Sequence, residues 1–546
     1  MSISVEVGLL SGKTATVEAT LDEDVAALKL RAQAVLGVGR GRLVHSSGRV
    51  PDACERIDAS CLQDGDSLTL HMSRVQVRAT VRAFAAILGD GSVVTWGDAE
   101  CGGDSGAVQH QLKDVQEIQS SEQAFAAILA DGSVVTWGFD DYGGDSSAVQ
   151  GQLKSVQGIQ ATRFAFAAIR FDGSVVTWGD AEDGGFSGVL QDQLKNVRQI
   201  QASFGAFAAI LEDGSVVAWG DADDGGDSSA VQDQLKNVQQ IQASGDVFAA
   251  ILGDGSVVTW GDADDGGDSS AVQNQLRNVQ QIQASAFAFA AILADGSVVT
   301  WGDPAFGGDS SAVQEQLKNV QQIQATSYAF AAVLGDGSVV TWGDADYGGD
   351  SRALQDQLKN VQHIQGDSYV FAAVLGDGSV VTWGDCRGAG DSSALQNQVK
   401  NVQNVQQIQC SNPRQSSAVA FAAILRDGSV VTWGDADSGG DSSSVQEQLK
   451  NVQQIQATSG AFAAVLSDGT VVTWGHAGRG GDSSAVHDLL QNAEELSFQE
   501  VSGRAKEEAL GSPVKITGQI VIDDDKQEEV ACLTVAAAGR DADIIV

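Results

Sequence analysis

Six histidines are the first candidates for chemistry, because an imidazole can act as a general base or bind a metal near neutral pH. None of them stands in a recognisable motif with a cysteine, an aspartate or a serine. The chain also contains no G-x-S-x-G phrase, no Walker loop and no H-E-x-x-H phrase. We therefore expect no catalytic residues and no enzyme activity. The histidines are His45, His71, His110, His363, His476 and His487.

Acidic loops recur along the chain and could hold calcium, as in the segment DADDGGD that ends at Asp227. A calcium loop places carboxylates at alternate positions, then a glycine and a late bidentate acid. Here the third acidic residue does not stand at the alternate position that a calcium loop requires. The corresponding segment that starts at Asp303 reads DPAF and has lost most of its acidic residues. An aspartate recurs at the position of Asp227 in nine of ten units, as expected for a helix cap. We expect solvated, capped turns with calcium as the alternative, and we predict no metal and no cofactor.

All ten tryptophans stand in one recurring phrase, DGSVVTWG or a close variant. Successive tryptophans are 41 residues apart except for one spacing of 50, so the repeat carries a single nine-residue insertion. A Phe stands twelve residues before every Trp, and Asp-Gly stands six and five residues before it. Ten tryptophans at one strand position are predicted to be core residues rather than ligand-stacking residues. They are Trp96, Trp137, Trp178, Trp219, Trp260, Trp301, Trp342, Trp383, Trp433 and Trp474.

One unit, NVQQIQASGDVFAAILGDGSVVTWG, indicates the elements that position these residues. VQQIQAS, FAAIL and SVVTW are predicted to be three short strands. Asp254-Gly255, between the last two, is a preferred hairpin turn and requires φ > 0 at the glycine. A helical turn is predicted in the connection to the next unit, with Val231, Leu235 and Val238 as its apolar stripe. Both faces of such a small sheet are apolar, so adjacent units must stack.

These residues resemble a known family. The phrase x-DGSVVTWGDxxxGG, after V-x-x-I-x-A and FAAIL, is similar to the regulator-of-chromosome-condensation repeat over residues 74–491. The short period is nearer the three-stranded-blade variant, as in a bacterial propeller-type β-lactamase-inhibitor protein. The family's Asn after W-G-x is Ala222 here, and its Gln-Leu-Gly becomes Gly-Asp-Ser. The resemblance implies a mainly β fold with a β-propeller of about ten three-stranded blades. Because ten exceeds the usual blade number, an open spiral stack and two unequal bodies remain alternatives.

Residues 1–73 share nothing with the repeats. The segments ISVEV, TATVEA, RLVH and DSLTLHM are predicted strands, and LDEDVAALKLRAQAVLG between them is a predicted helix. The buried stripe of the helix is predicted to be Val25, Leu28, Ala32 and Val35. The order ββ–α–β–β is that of a β-grasp domain.

The same segments resemble ubiquitin in their order and spacing. By that resemblance, the hydrophobic recognition patch maps onto Leu10, Val44 and His71, of which His71 departs from the apolar pattern. There is no terminal Gly-Gly before the first repeat, so we expect a built-in domain that is not conjugated through its own C-terminus. The patch either docks a partner or packs against the first blade.

Residues 492–546 break the repeat. AEELSF is predicted to be one more first strand, and VKITGQIVI with EEVACLTVA is predicted to form a hairpin. We expect an irregular capping or closing segment, with a separate appendage or a partly disordered tail as the alternative.

The charge balance excludes two classes of partner. With 72 acidic residues against 32 Lys and Arg, the net charge is −40, which argues against nucleic acid and anionic membrane surfaces. The six scattered cysteines form no C-x-x-C motif, and the first residues lack the basic region of a signal peptide. We therefore expect the protein in the cytoplasm or the nucleus.

Taken together, these features predict a non-catalytic protein–protein interaction scaffold or adaptor linked to the ubiquitin system. Its expected partners are proteins, such as ubiquitin receptors or ubiquitin-ligase components. The alternative is a guanine-nucleotide exchange regulator of a small GTPase, which rests on fold analogy. A repeat protein without a defined ligand is a third interpretation, because near-identical repeats also arise by recent duplication.

Overall fold

The computed structural model describes most of the chain. The described residues are 2–9, 12–36, 41–47, 56–58, 60, 62–71, 74–384, 404–411 and 419–491, together with three strands at 515–523, 528–537 and 540–545. Among them, no helix is long and apolar enough to cross a membrane.

The N-terminal region forms a four-stranded sheet covered by one helix. Its elements are β1 (Ser2–Gly8), β2 (Thr14–Thr20), α1 (Val25–Leu36), β3 (Arg42–His45) and β4 (Ser67–His71). The strand order is β2-β1-β4-β3, in which β1 is antiparallel to β2 and parallel to β4. The element order is therefore the one that the sequence predicted.

The buried stripe of α1 differs from the prediction at its last position. Val25, Leu28 and Ala32 are buried as expected, but Val35 is 61% exposed and Leu36 is fully buried instead. From Ala32, a step of four residues keeps the helix face turned to the sheet, whereas a step of three rotates Val35 towards solvent. The side chain of Asp24 accepts the Ala27 N–H at 2.8 Å and thereby caps the helix.

The repeats form ten three-stranded antiparallel sheets, which we call blades 1 to 10 in chain order. The first strands are Gln76–Ala79, Val115–Ser120, Val156–Ala161, Val197–Ala202, Val238–Ala243, Val279–Ala284, Val320–Ala325, Val361–Gly366, Val405–Cys410 and Val452–Ala457. The second strands are Ala83–Ile87, Ala124–Leu129, Ala165–Arg170, Ala206–Leu211, Val247–Leu252, Ala288–Leu293, Ala329–Leu334, Val370–Leu375, Ala420–Leu425 and Ala461–Leu466. The third strands are Val93–Gly97, Val134–Gly138, Val175–Gly179, Val216–Gly220, Val257–Gly261, Val298–Gly302, Val339–Gly343, Val380–Gly384, Val430–Gly434 and Val471–Gly475.

The repeated Phe and Trp form the core of every blade. They are cross-strand partners, as in Phe248 opposite Trp260. All ten pairs stack with ring centroids 5.1–5.3 Å apart. The Trp Nε1–H also reaches the preceding blade, as in the donation of Trp260 to the Gly225 carbonyl at 3.0 Å. Nine of the ten Trp satisfy their one polar atom in this way while they join two blades, the exception within the described parts of the chain being Trp433. All ten are buried, which confirms the core assignment.

The blades follow one another in a continuous round. Ten apolar clusters join neighbouring blades, and one of them contains Phe84 of blade 1 with Ala463 of blade 10. The Ser459 N–H donates to the Val81 carbonyl at 3.0 Å, again joining blades 10 and 1. The arrangement is that of a β-propeller in which each blade remains a separate sheet. These contacts do not fit an open spiral or two separate bodies.

The Asp-Gly hairpin turn has the predicted backbone. Gly255 has φ = 77°, and the Asp254 carboxylate accepts the Ser256 N–H at 2.9 Å. A Cβ added at Gly255 would lie 2.9 Å from the Cα of Asn278. Glycine is therefore required both by the left-handed backbone and by the close approach of the next blade.

The connections between blades contain less helix than the sequence predicted. Turns predominate, with short helical segments such as Gly188–Leu190, Arg352–Leu354 and Ser484–Val486, and one α-helical turn at His487–Leu490. Further one-turn segments follow the third strands, at Ala99–Gly103, Asp140–Tyr142, Ala181–Gly185, Ala222–Gly226, Ala263–Gly267, Pro304–Phe306, Ala345–Gly349, Ala436–Gly440 and Ala477–Arg479.

The nine-residue insertion divides between the connection from blade 8 to blade 9 and the first loop of blade 9. From Trp383 to Val405 there are three residues more than from Trp260 to Val279. The remaining six lie between the first and second strands of blade 9, around residues 412–418, which are outside the described residues.

The tail contributes an eleventh three-stranded sheet, formed by Lys515–Asp523, Glu528–Ala537 and Arg540–Ile545. The first two strands pair antiparallel, with Lys515 opposite Ala536, as the predicted hairpin requires. The third strand was not predicted. The segment AEELSF lies outside the described residues.

Candidate protein-binding face

One face of the propeller is built from the loops between the first and second strands of each blade. Backbone hydrogen bonds join consecutive loops into an axial belt, as in the Val81 N–H donating to Glu122 and the Glu122 N–H donating to Arg163, at 3.0 and 2.9 Å. A cavity of about 300 Å³ opens among the loops of blades 10 and 1 to 4. The belt members among the described residues, which come from every blade except blade 9, are Val81, Glu122, Arg163, Phe204, Gly245, Ala286, Ser327, Ser368 and Ser459.

In six blades, a Ser or Thr hydroxyl joins this loop to the loop that follows the third strand, among the contacts of the described residues. In blade 3, the Thr162 Oγ1 accepts the Ala165 N–H at 2.9 Å and donates to the Asp183 carbonyl at 3.1 Å. In blade 4, Ser203 donates to the Asp224 carbonyl at 2.8 Å. The two loops of a blade are thus held together at one end of the sheet.

Two positions on these loops change from blade to blade while the Phe and Trp stay constant. We call the residues two before each Phe the first-loop row and the residues five after each Trp the second-loop row. Residues of the two rows alternate around the ring. For example, Gly205 of the first-loop row lies between Asp183 and Asp224 of the second-loop row, since a Cβ placed at Gly205 would contact both carboxylates. In the sequence, the ten repeats carry seven residue types at each of the two positions. Together with the axial belt, they form what we call the annular face.

In chain order, the two rows have the following members. The first-loop row is Arg82, Gln123, Phe164, Gly205, Asp246, Phe287, Tyr328, Tyr369, Val419 and Gly460. The second-loop row consists of the described residues Cys101, Tyr142, Asp183, Asp224, Asp265, Phe306, Tyr347, Ser438 and Arg479, while the residue at this repeat position in blade 8, Gly388, lies outside the described residues.

Five aromatic side chains form a continuous aromatic row across blades 6 to 8. Phe287 contacts Phe306 and Tyr328 with ring centroids 5.1 and 5.6 Å apart. Tyr328 contacts Tyr347 at 4.6 Å and Tyr369 at 6.0 Å. All five are half-buried, so each leaves part of its ring open to solvent. Such a contiguous apolar surface on a strongly acidic protein is typical of an interaction site.

Four aspartates of blades 3 to 5 form an acidic sector beside the aromatic row. Burial and neighbouring carboxylates raise the pKa of Asp183 and Asp265 to about 6 and that of Asp224 to about 7. Burial raises the pKa of Asp246 as well. The sector is therefore a region in which negative charge is crowded and partly removed from water.

Smaller sectors complete the annular face. The ring of Tyr142 contacts those of Phe139 and Phe164 in tilted arrangements, at 4.9 and 4.1 Å between centroids. The Arg163 guanidinium lies 3.3 Å from the centre of the Phe204 ring, a close cation–π contact.

The structure describes two of the three residues of the ubiquitin-like patch that the sequence predicted. Leu10 lies outside the described residues, while Val44 and His71 are half-buried on the same side of the N-terminal sheet. Arg42, opposite His71 on that sheet, forms an ion pair of 3.2 Å with Asp114 after blade 1. This side of the sheet therefore lies close to the propeller.

Sequence reasoning missed the annular face entirely. The signal for it was present, because the residues two before Phe and five after Trp vary within an otherwise constant phrase. Their proximity follows only once the loops are placed at the same end of stacked blades.

The acidic loops act as caps. The side chain of Asp221 accepts the Asp223 N–H at 2.9 Å, and that of Asp227 accepts the Ser229 N–H at 2.8 Å. Across the parts of the chain that the structure describes, no group of three or more His, Cys, Asp or Glu side chains is arranged to hold a metal ion. The free thiols of Cys101 and Cys410 are buried, and burial raises the pKa of Cys101 to about 11.

No family model and no curated protein matches the chain. Among solved structures, it is similar to Prp20p from Saccharomyces cerevisiae, a protein that binds Gsp1p and histones, at 16% identity and a TM-score of 0.31, over 60% of this chain and 84% of that one. The WD40 ectodomain of the Arabidopsis thaliana receptor kinase ACR4 is 14% identical with a TM-score of 0.27, over 48% and 93% of the two chains. The computationally designed Ika8 protein is 13% identical with a TM-score of 0.27, over 57% and 97%. With such low scores, the propeller assignment rests on the contacts between the blades of this chain.

Proposed function

We propose that the protein is a non-catalytic protein–protein interaction scaffold that binds its partners on the annular face. The observation that carries this proposal is the aromatic row, in which half-buried rings from three neighbouring blades meet at 4.6–6.0 Å. Partly exposed aromatic side chains contribute large contact areas at protein interfaces and cost little conformational entropy on binding. The surrounding blades supply a rigid frame for them.

The N-terminal region is, in this proposal, a ubiquitin-like domain that links the scaffold to the ubiquitin system. Its support is the strand order β2-β1-β4-β3, with β1 parallel to β4 and α1 packed on one face. Leu10, Val44 and His71 remain the predicted recognition patch, and ubiquitin receptors or ligase components remain the predicted partners. The expected location is the cytoplasm or the nucleus.

Replacing aromatic residues by their counterparts in blade 9 tests the partner surface without disturbing the fold. Tyr328→Val and Tyr347→Ser introduce the residues that blade 9 carries at the same positions, Val419 and Ser438. The matched control is Phe171→Ser, because Phe171 is 73% exposed in a turn at the opposite end of the strands. In quantitative affinity capture from cells, the double variant should lose partners that the wild type and the control retain. Identical partner sets for all three proteins would refute the annular face as the binding surface.

Nucleotide exchange on a small GTPase is the second candidate function. It is supported by the resemblance of the repeat phrase to the chromosome-condensation-regulator family, which includes an exchange factor. A likeness at this level assigns no activity to the present chain. Accelerated release of labelled nucleotide from one member of a GTPase panel would favour this candidate over a scaffold.

A further inference from the structure

We infer that the annular face binds an extended, arginine- or lysine-rich peptide segment of a partner protein. The apolar and aromatic parts of the segment lie along the aromatic row, and its cations lie over the acidic sector. The inference deepens the proposed function and rests on it, since it specifies the chemistry of the partner at the same surface.

The aromatic row has dimensions that suit an extended chain. The rings of Phe287, Tyr328 and Tyr369 follow one another at 5.6 and 6.0 Å between centroids. An extended β-type chain advances roughly 6.6 Å in two residues and presents alternate side chains on one face, so alternate side chains of such a peptide can each meet a ring. Phe306 and Tyr347 form a second line of rings beside the first.

The acidic sector determines the charge of the occupant. It adjoins the aromatic row, because the Asp303 N–H donates to the Phe287 carbonyl at 2.9 Å and the Asp303 carboxylate is among the charges that act on Asp265. Arg163 offsets part of the negative charge on Asp183 and Asp246, yet both carboxyl groups remain harder to ionise than an ordinary aspartate. Additional positive charge at this place would therefore be stabilised by carboxylates that are already partly desolvated.

Within this chain, an arginine on the annular face already makes the contact with an aromatic ring that we expect an arginine of the partner to make. The central carbon of the Arg163 guanidinium lies over the Phe204 ring, 3.3 Å from the ring centre. Arginine pairs with carboxylates and also stacks on aromatic rings, so a segment of alternating arginine and apolar residues satisfies both sectors. The net charge of −40 further favours a basic partner over an acidic one.

The test selects ligands without presupposing their sequence. The full-length protein is immobilised and a random-peptide phage library is panned against it, with Tyr328→Val plus Tyr347→Ser as counter-selection. The affinity of a fluorescein-labelled peptide of alternating arginine and leucine is then measured by anisotropy, against a matched glutamate–leucine peptide. The paired variant Asp224→Asn plus Asp246→Asn is expected to fold, because each change removes a carboxylate that burial disfavours.

If the inference is correct, the peptides selected from the library are enriched in Arg or Lys. The protein then binds the arginine–leucine peptide and does not bind the glutamate–leucine peptide. The aspartate variant and the aromatic variant should each weaken this binding about tenfold or more. The control Asp192→Asn plus Asp233→Asn removes the same charge from fully exposed connections and should leave the affinity within about twofold.

Two results separate a failure of the inference from a failure of the proposed function. If selected peptides lack basic residues but still require the aromatic row, the basic partner is refuted and the scaffold function stands. If no peptide is enriched, or binding is the same in every annular variant, both the basic partner and the annular binding face are refuted.

Discussion

The indole N–H of Trp96 donates to the Gly480 carbonyl at 3.0 Å, which joins the first and the last blade across 384 positions of sequence. The corresponding bond inside the ring runs from Trp260 to Gly225 at 3.0 Å, across 35 positions. Ring closure therefore uses the same contact as every internal junction for which the acceptor is described.

This equivalence predicts the effect of Trp96→Phe. The substitution should lower the free energy of unfolding by about 1 kcal/mol, because it leaves the Gly480 carbonyl without its donor. Trp260→Phe is the matched control and should cost a similar amount in urea unfolding. Hydrogen exchange should accelerate in blades 1 and 10 for Trp96→Phe and in blades 4 and 5 for the control. Unchanged exchange in blades 1 and 10 would contradict the closing role of Trp96.

The hairpin glycine gives a second prediction. Gly255→Val should lower the free energy of unfolding by about 2 kcal/mol or more, because φ = 77° and the 2.9 Å approach to Asn278 both exclude a side chain. Ala294→Val, at an exposed position of the next hairpin turn, is the control and should change stability by less than about 0.5 kcal/mol. Equal melting temperatures for the two variants would contradict the assigned turn.

One of the positions at which blade 8 departs from the repeat leads to a stabilising substitution. Nine blades carry a glycine six residues after Trp, with φ of 90–111°, where a Cβ would approach the Phe ring of the next blade to 2.5–3.0 Å. Blade 8 carries Ala389 at this position instead, and Ala389 lies outside the described residues. Within the described parts of the chain, the buried Nε1 of Trp433, which follows in blade 9, has no acceptor.

Ala389→Gly should therefore raise the melting temperature, since it restores the residue that the other nine loops require. The control Ala436→Gly changes the same residue types at an exposed position of the next loop and should destabilise slightly, by about 0.5–1 kcal/mol. Differential scanning calorimetry of both variants checks the sign. A lower melting temperature for Ala389→Gly would contradict the expectation that position 389 requires a glycine.

Asp367 makes the stability of blade 8 dependent on pH. Thr326 occupies the equivalent position in blade 7 and donates to the Tyr347 carbonyl at 3.2 Å. Asp367 is buried, Oδ2 of its carboxyl group has no partner among the described atoms, and burial raises its pKa from 3.8 to about 7. The folded protein thus retains a proton that the unfolded chain releases between pH 4 and pH 7. The free energy of unfolding falls as the pH rises through this window.

Asp367→Ser should remove this dependence. The variant and the wild type should be similar near pH 4, and the variant should be more stable by about 4 kcal/mol at pH 8. Urea unfolding at a series of pH values measures the difference, with the exposed Asp233→Ser as the control, whose curve should run parallel to that of the wild type. A constant difference between Asp367→Ser and the wild type at all pH values would contradict a buried, protonated carboxyl group.

The structure of a single blade could be predicted from the sequence, but the annular face could not. Phe248, Trp260 and Gly255 could be placed correctly because strand alternation and hairpin geometry act over a few residues. Closure between Trp96 and Gly480 depends on the twist accumulated over ten blades, which no local pattern encodes. The annular face was missed for the same reason, because the contact between Phe287 and Tyr328 joins positions one full repeat apart.

The last prediction concerns the N-terminal patch, where Val44→Asp separates docking of a partner from packing against the propeller. Val44 and His71 are half-buried, and the neighbouring Arg42 pairs with Asp114 at 3.2 Å. If the patch packs on the propeller, Val44→Asp should loosen the domain and increase its cleavage by protease, and Arg42→Ala should do the same more weakly. If the patch docks a ubiquitin receptor, Val44→Asp should abolish receptor binding at unchanged protease resistance, whereas Arg42→Ala should leave binding intact. Limited proteolysis and a receptor pull-down, carried out on both variants, distinguish the two. Unchanged cleavage together with unchanged binding would show that Val44 belongs to ordinary surface.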